Sequence, residues 1–271
     1  MSESGESPAQ HGVRLVVAYD GTDFHGFQLQ APGLRSVQGV LEEAVERMTR
    51  HPVRVRGAGR TDAGVHALGQ VVAFDSARAI SERGWTLGLN TYLPDDVRVQ
   101  RAEACAPGYN PRFDAIGKHY RYLVQFGEAK DPLLRNRAWQ LGSPKHLDRS
   151  AMRAAAKLLT GRHDYRAFRA SDDQRPGSER TLWSIELRDS WNDCPTLLAI
   201  DVRGNAFMKH MVRILSGTLV DVGFGRIPLD QVPRMLGAEA DRTHAGQTAP
   251  AHGLTLVSVE LGRSSLTYDP R

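Results

Sequence analysis

Val53-Arg54-Val55-Arg56-Gly57-Ala58-Gly59-Arg60-Thr61-Asp62-Ala63-Gly64-Val65-His66-Ala67-Leu68-Gly69-Gln70-Val71-Val72-Ala73-Phe74 is the stretch from which the rest of the chain is read. Val53 to Arg56 alternates apolar and basic residues, the pattern of a half-buried strand, and Gln70 to Phe74 is a second strand. Between them lies a loop with Gly57, Gly59 and Gly64. Glycine adopts backbone conformations that a Cβ disfavours, so such a loop can bring its main chain close to a ligand. The loop carries one guanidinium, Arg60, and one carboxylate, Asp62. A loop Asp beside Gly commonly hydrogen-bonds its own backbone. An Asp kept ionised by a nearby opposite charge can instead act as nucleophile or general base. The residues of the loop leave both roles open.

Outward from this stretch, the period of the apolar residues sets the elements. Val37, Val40, Leu41, Ala44, Val45 and Met48 recur at helical spacing, with Ser36 placed as cap and Pro52 barring continuation. Val13 to Tyr19 is a dense apolar strand that ends in the turn signal Asp20-Gly21-Thr22, and residues 23–30 form a loop. After the glycine loop come a partly helical Ile80 to Leu93, an alternating strand from Val97 to Ala104, and a loop from Pro107 to Phe113. Tyr120, Tyr122, Val124 and Phe126 then share one face of a strand.

The second half repeats the element order in part. It has a weak strand at Ala138 to Leu141 and a helix face at Met152, Ala155, Ala156 and Leu159, capped by Asp148 and stopped at Gly161. A long polar loop runs from Arg162 to Arg180, followed by strands at Leu182 to Leu187 and Leu197 to Arg203. A helix carrying Phe207, Met211, Ile214, Leu215, Thr218, Leu219 and Val222 takes Asn205 as cap and stops at Gly223 to Gly225. A short helix near Val232 to Leu236 and a strand from Leu254 to Leu261 complete the pattern. This order predicts an α+β fold of two halves, each compatible with a ferredoxin-like split βαβ unit. The expected divisions are a tail over 1–12, an N-terminal half over 13–115 with the Asp62 loop, and a C-terminal half over 116–271.

The 271 residues are 41% apolar, as expected of a packed globular protein, and the net charge of +4 permits a polyanionic partner. Cys105 and Cys194 make neither a disulfide framework nor a zinc site, which fits a reducing compartment. No run approaches the length of a membrane span, and the polar first dozen residues lack a signal-peptide core, so a cytoplasmic protein is expected. Gly57-Ala58-Gly59 opens like a dinucleotide fingerprint but the third glycine is misplaced. No Walker-type motif or Gly-x-Ser-x-Gly elbow occurs. Asp62 and His66 are four apart, but no further acidic or histidine cluster stands near them to complete a metal site. Basic residues gather in four places: Arg54, Arg56 and Arg60; Arg112, Lys118, His119 and Arg121; six residues between Arg162 and Arg180; and Lys209, His210 and Arg213. Their interleaving with Tyr and Phe suits phosphate contact with base stacking, hence RNA. Two rivals are a non-catalytic RNA-binding protein and a glycosidic hydrolase. The latter wants a second carboxylate, for which Asp164 and Asp221 are the candidates.

Ala58 to His66 resembles the signature of the tRNA pseudouridine synthase A family. The resemblance extends through Tyr19-Asp20-Gly21-Thr22, Gly26-Phe27-Gln28, Trp85 to Gly88, Leu93-Pro94, Arg112-Phe113, Tyr120-Arg121-Tyr122, Asp164, Phe168-Arg169, Asn205-Ala206-Phe207, His210 to Arg213 and Gly253-Leu254. It covers Arg14 to Gly262. It implies two ferredoxin-like halves sharing a continuous mixed sheet with a central cleft. The implied activity is isomerisation of uridine to pseudouridine in the anticodon stem-loop of tRNA, at nucleotides 38, 39 and 40. Asp62 would be the essential catalytic aspartate, and Arg60 would displace the target nucleotide and hold the RNA. Tyr120 would stack on the flipped uracil, Arg213 would keep Asp62 charged, and Leu254 would wall the pocket. The resemblance implies a homodimer and neither metal nor organic cofactor. Asn110-Pro111, Phe27 and Thr255 depart from the family's usual His-Ala, Trp and Tyr, all at the periphery of the implied chemistry.

Overall fold

The computed structural model describes residues 11–31, 33–142, 147–173 and 175–262. They fall into two compact units. The first runs to Ala115 and takes in Leu261 and Gly262; the second is Ile116–Glu260. Residues 1–10 of the expected tail lie outside the described residues, whereas His11 and Gly12 belong to the first strand.

The first unit is built from β1 (His11–Tyr19), α1 (Val37–Thr49), β2 (Arg56–Gly57), β3 (His66–Ser76), α2 (Glu82–Tyr92), β4 (Val97–Cys105) and the single turn α3 (Pro111–Asp114). β1 lies between β3 and β4, antiparallel to both, and β2 pairs with β3. The spatial order β4-β1-β3-β2 is that of a ferredoxin-like unit. Strand β1 extends two residues beyond the apolar run because His11 and Gly12 pair with Ser76 and Asp75. A Cβ on Gly12 would stand 2.4 Å from the Ala106 carbonyl oxygen, so no larger residue fits that edge. Ser36 caps α1 by accepting from the Gly39 N–H, and Ser81 caps α2 by accepting from that of Gly84. The two helices approach closely at Gly88, where an added Cβ would lie 2.5 Å from the Met48 methyl carbon. The Trp85 and Phe74 rings pack in a T-shaped pair, with centroids 5.2 Å apart.

The strand expected over Val53 to Arg56 shrinks to the two residues of β2. The reason lies in α1. The Glu42 carboxylate accepts from the Val55 N–H at 2.9 Å, and the Gln38 amide donates to the Val55 carbonyl at 3.2 Å. Side chains of α1 thus satisfy the backbone groups that a sheet ladder would otherwise use.

The second unit holds β5 (Ala115–Gln125), β6 (Trp139–Gln140), α4 (Arg149–Leu158), β7 (Gly161–Asp164), β8 (Glu179–Arg188), β9 (Leu197–Gly204), α5 (Met211–Gly223) and β10 (Leu254–Leu261). Its sheet order is β10-β5-β9-β8-β7, with β6 parallel to β5 at one end. The first four strands repeat the arrangement of the first unit, with β7 added at the edge. Asp148 caps α4 by accepting from the Ser150 and Ala151 N–H groups. Asn205 does not cap α5. The helix starts six residues later, after His210, whose φ of 61° is left-handed. The Asn205 side chain instead accepts from the Thr181 N–H at 3.0 Å, and its own N–H donates to the Thr181 carbonyl, extending the β8–β9 pairing past the end of β9. The long loop expected over Arg162 to Arg180 is broken by β7 and by a 3-10 turn, Arg166–Phe168, whose Phe168 is fully buried.

Candidate active site

The Asp62 loop is held on three sides by buried polar contacts. From β1, the Tyr19 hydroxyl meets that of Thr61 at 2.8 Å; both residues are buried. Burial pushes the Tyr19 phenol up to about 12, against the opposing effect of hydrogen bonds to Thr61 and Gln70. From β3, the Gln70 amide donates to the Gly59 carbonyl at 3.0 Å, and the Val71 carbonyl accepts from the Ala58 N–H at 2.8 Å. From residues 20–27, Phe27 N–H donates to the Thr61 carbonyl at 3.0 Å, and the Phe24 carbonyl accepts from Gly64 N–H at 3.3 Å.

Two glycines make that last approach feasible. Gly26 has a φ of 108°, a left-handed conformation that only glycine adopts without strain. A Cβ on Gly21 would stand 2.1 Å from the Val65 carbonyl oxygen. The Phe27 ring occupies the space over Gly57, where an added Cβ would lie 2.5 Å from a ring carbon. Phe27 therefore acts as a packing surface for the loop backbone. The loop ends in a turn closed by Val65 N–H on the Asp62 carbonyl at 3.2 Å, with Gly64 at a φ of 77°. In this frame Asp62 is half-buried and Arg60 is exposed, with no hydrogen-bond or ion-pair partner for the Arg60 side chain among the described residues. His66 is buried, and its Nδ1 accepts from Gly21 N–H at 3.0 Å. That bond gives the imidazole a structural task. Among the described residues, no three His, Cys, Asp or Glu side chains group closely enough to hold a metal ion.

Tyr120, Arg213 and Leu254 lie in the second unit. Tyr120 and Tyr122 project from one face of β5, two residues apart. Tyr120 is 7% exposed and meets the Phe207 ring edge-on at 5.1 Å. The fully buried Tyr122 donates to the Pro250 carbonyl at 2.8 Å, and burial drives its phenol far above the ordinary tyrosine range. Arg213, in the first turn of α5, donates through Nε to the Ala249 carbonyl at 2.8 Å, and its own carbonyl accepts from Ala249 N–H. Gly253 lies against Tyr122, where any Cβ would come within 2.6 Å of the ring. Residues 249–253 are thereby fixed at both ends, and Leu254, which follows at the start of β10, is held buried at 6% exposure. Burial lowers the His252 pKa, opposed by a hydrogen bond with the Ala138 backbone and aided by the Arg213 charge, so the neutral imidazole is favoured at pH 7.

A family model described as tRNA pseudouridine synthase matches residues 15–114 and 155–260. The chain belongs to that family. Among the tRNA pseudouridine synthases it is similar to proteins named tRNA pseudouridine synthase A. One, from Geobacter sulfurreducens, is 43% identical over 247 residues, 91% of this chain and 98% of the relative. That of Myxococcus xanthus is 44% identical, covering 91% of each chain, and that of Chloroflexus aurantiacus 44% identical, covering 91% of this chain and 87% of the relative.

As a pseudouridine synthase the protein is an isomerase, and the two carboxylates considered for hydrolysis have other tasks. Asp164 caps Arg166 N–H and binds the Arg166 guanidinium at 2.6 Å. Asp221 is buried in α5 and accepts from Arg226, Gln247 N–H and the Gln247 amide.

The basic clusters also divide. Arg56 is bound to Asp75 at 2.8 Å, and Arg175 to Asp173. His119 and Arg121 both hold the buried Asp201, with Arg121 lying over the Trp191 ring at 3.7 Å. This ion network went unread in the sequence because Asp201 sits in a strand, 80 residues from Arg121. Phe207 was read as a helix residue because its spacing continues that of α5; its partner is the Tyr120 ring instead. No helix among the described residues is long and apolar enough to cross a membrane.

Proposed function

We propose that this protein converts uridine to pseudouridine in the anticodon stem-loop of tRNA, at nucleotides 38, 39 and 40, as a cytoplasmic homodimer. The observation that carries the reading is the family match, which spans both the Asp62 loop and the segments bearing Arg213 and Leu254. The reaction breaks the bond from C1′ to N1, turns the base, forms a bond from C1′ to C5, releases the C5 proton and leaves N1 protonated. Substrate and product contain the same atoms, so the protein's tasks are to extrude, orient and protect the base.

Extrusion costs a few kcal/mol. Stacking on Tyr120 offsets about 1–3 kcal/mol of that, and Arg60, exposed on its rigid loop, holds the displaced strand. Asp62 is the catalytic group. A carboxylate there serves attack at C1′, addition at C6 or removal of the C2′ proton, and each route requires it to be ionised and fixed. Arg213 supports the charged form. Leu254 excludes water, which would otherwise capture the detached base and sugar. No metal or organic cofactor is needed for this chemistry.

The test is tritium release from tRNA labelled at C5 of uridine. Asp62→Asn abolishes release while retaining stem-loop binding, and pseudouridine disappears at nucleotides 38 to 40 in cells lacking the gene. Substantial turnover by Asp62→Asn removes the assignment of Asp62. Stem-loop binding by the wild type without any tritium release identifies an RNA-binding protein instead.

A further inference from the structure

Two arginines of the second unit lack carboxylate partners where their neighbours have them. Arg162 pairs with Glu179, Arg166 with Asp164, Arg175 with Asp173 and Lys209 with Asp172. Arg169 and Arg180 pair with no carboxylate among the described residues. The Arg169 guanidinium donates to the Arg175 carbonyl at 3.1 Å, and the Arg180 guanidinium to the Glu179 carbonyl at 2.6 Å. Arg180 Nε is buried without an acceptor among the described residues. Burial lowers the Arg180 pKa, and the like charges of Arg175 and Arg169 lower it further; Asp173 opposes them but is committed to Arg175 through both oxygens. Three guanidinium groups thus face one carboxylate, a local excess that an anion would relieve.

The sheet register says which face they serve. Tyr120 pairs with Val202, and Gly204, two residues on, pairs with Leu182 of β8. Paired and alternate residues project to the same side, so Arg180 shares a face with Leu182, Gly204 and Tyr120. Phe207 bridges the interval, touching the Tyr120 ring and lying beside Gly204 and Leu182. Arg180 stands roughly 13 Å along the strands and about 10 Å across them from Tyr120, at 3.3 Å per residue and 4.8 Å per strand. The reciprocal bonds between Asn205 and Thr181 fix the backbone next to Arg180.

We propose that Arg169 and Arg180 form a seat for a backbone phosphate of the RNA, on the sheet face that carries Tyr120, at a nucleotide other than the one isomerised. The assignment rests on the proposed tRNA reaction for the identity of the polyanion. Arg175, tied to Asp173, flanks the seat. A phosphate there satisfies the orphaned Arg180 Nε and leaves the reacting base untouched, so the seat contributes uniform binding, which moves KM and leaves kcat alone.

The test compares the wild type with Arg180→Ala, Arg180→Lys and the double variant Arg169→Ala/Arg180→Ala. Each is titrated with an anticodon stem-loop RNA over a series of KCl concentrations and assayed for tritium release. Arg180→Ala lowers the magnitude of the salt slope by about one and the double variant by up to about two, while Arg180→Lys keeps the slope. KM rises about tenfold at near wild-type kcat in Arg180→Ala. A walk of single methylphosphonate substitutions along the stem-loop finds one or two positions, outside the target nucleotide, that weaken binding to the wild type and not to Arg180→Ala. An unchanged slope in Arg180→Ala, a loss confined to kcat, or a walk identical in wild type and variant overturns the seat. Should the wild type form no pseudouridine yet show the expected slopes and walk, the reaction fails and the phosphate seat stands.

Discussion

Gly21→Ala probes the mounting of the Asp62 loop without touching a residue assigned to the chemistry. The added methyl would stand 2.1 Å from the Val65 carbonyl oxygen and 2.5 Å from the carbon bearing it, where ordinary contact begins at 3.4 Å. Both obstacles are backbone, so no side chain can turn aside. Either residues 20–27 or the turn over Asp62 to Val65 must retreat by about 1 Å, a displacement that costs an enzyme on the order of 100-fold in rate. Retreat also stretches the Gly21 N–H bond to His66 and the Gly64 N–H bond to Phe24. The strain costs about 1–3 kcal/mol of stability. The expected outcome is a single-turnover rate of tritium release about 100-fold below wild type, with stem-loop affinity maintained and Tm lowered by several degrees. Gly142→Ala is the matched control, because its methyl meets no atom within 4 Å among the described residues. A Gly21→Ala protein within about threefold of the wild-type rate, less than 1 kcal/mol of barrier, would refute the claim that these contacts set the position of Asp62.

Three further outcomes follow from buried groups. Tyr122→Phe removes the donor to the Pro250 carbonyl and costs about 1–3 kcal/mol, read as a lower urea midpoint; activity falls with it because the same contact positions Leu254. Tyr19 gives an alkaline signature. Its phenol is raised from 10.0 to about 12, so its contribution to stability is intact below pH 10 and is lost as pH climbs through 12, on the order of 3 kcal/mol in all; Tyr19→Phe flattens that part of the profile measured by urea unfolding. Asp201 gives the acid counterpart. Burial alone would raise its pKa, but the hydrogen bond from His119 and the charges of Arg121 and His119 more than reverse this and hold it below 3.8. Its contribution is therefore complete at neutral pH and disappears as pH falls below that value. Asp201→Ala, which strands the Arg121 guanidinium, destabilises by about 3–5 kcal/mol in thermal or urea unfolding.

Where local pattern and tertiary packing agree, the elements were legible. Leu254 to Leu261 reads as a strand and is one, because its alternate residues face a core. α1 and α4 carry both an apolar stripe and a side-chain cap, and Ser36 and Asp148 make those capping bonds. Reading failed where a distant partner redirected a polar group. Val55 lost its place in a strand to Glu42 and Gln38, and Asn205 was drawn from helix capping to Thr181. Charge was the least legible property. Arg121 and Arg169 look alike in sequence, yet one neutralises Asp201 and the other has no carboxylate among the described residues. Asp62 and Arg60 were legible as a pair because glycine punctuation isolates them. Tyr120, Arg213 and Leu254 are assigned to the site through resemblance alone, since a tyrosine in a strand, an arginine in a helix and a leucine at a strand start carry no local mark.

The Asp62 loop lacks regular secondary structure between β2 and β3, yet its amides at Ala58, Gly64 and Val65 are all bonded within the first unit. Such a segment exchanges its amide hydrogens slowly, on the timescale of β3 and not that of a surface loop. Its conformational entropy, about 1–2 kcal/mol for each residue fixed, is lost when the protein folds. On the proposed function, RNA arriving at Arg60 and Asp62 then has no loop to order, and the binding free energy that ordering would have consumed remains for pulling a base out of its stack.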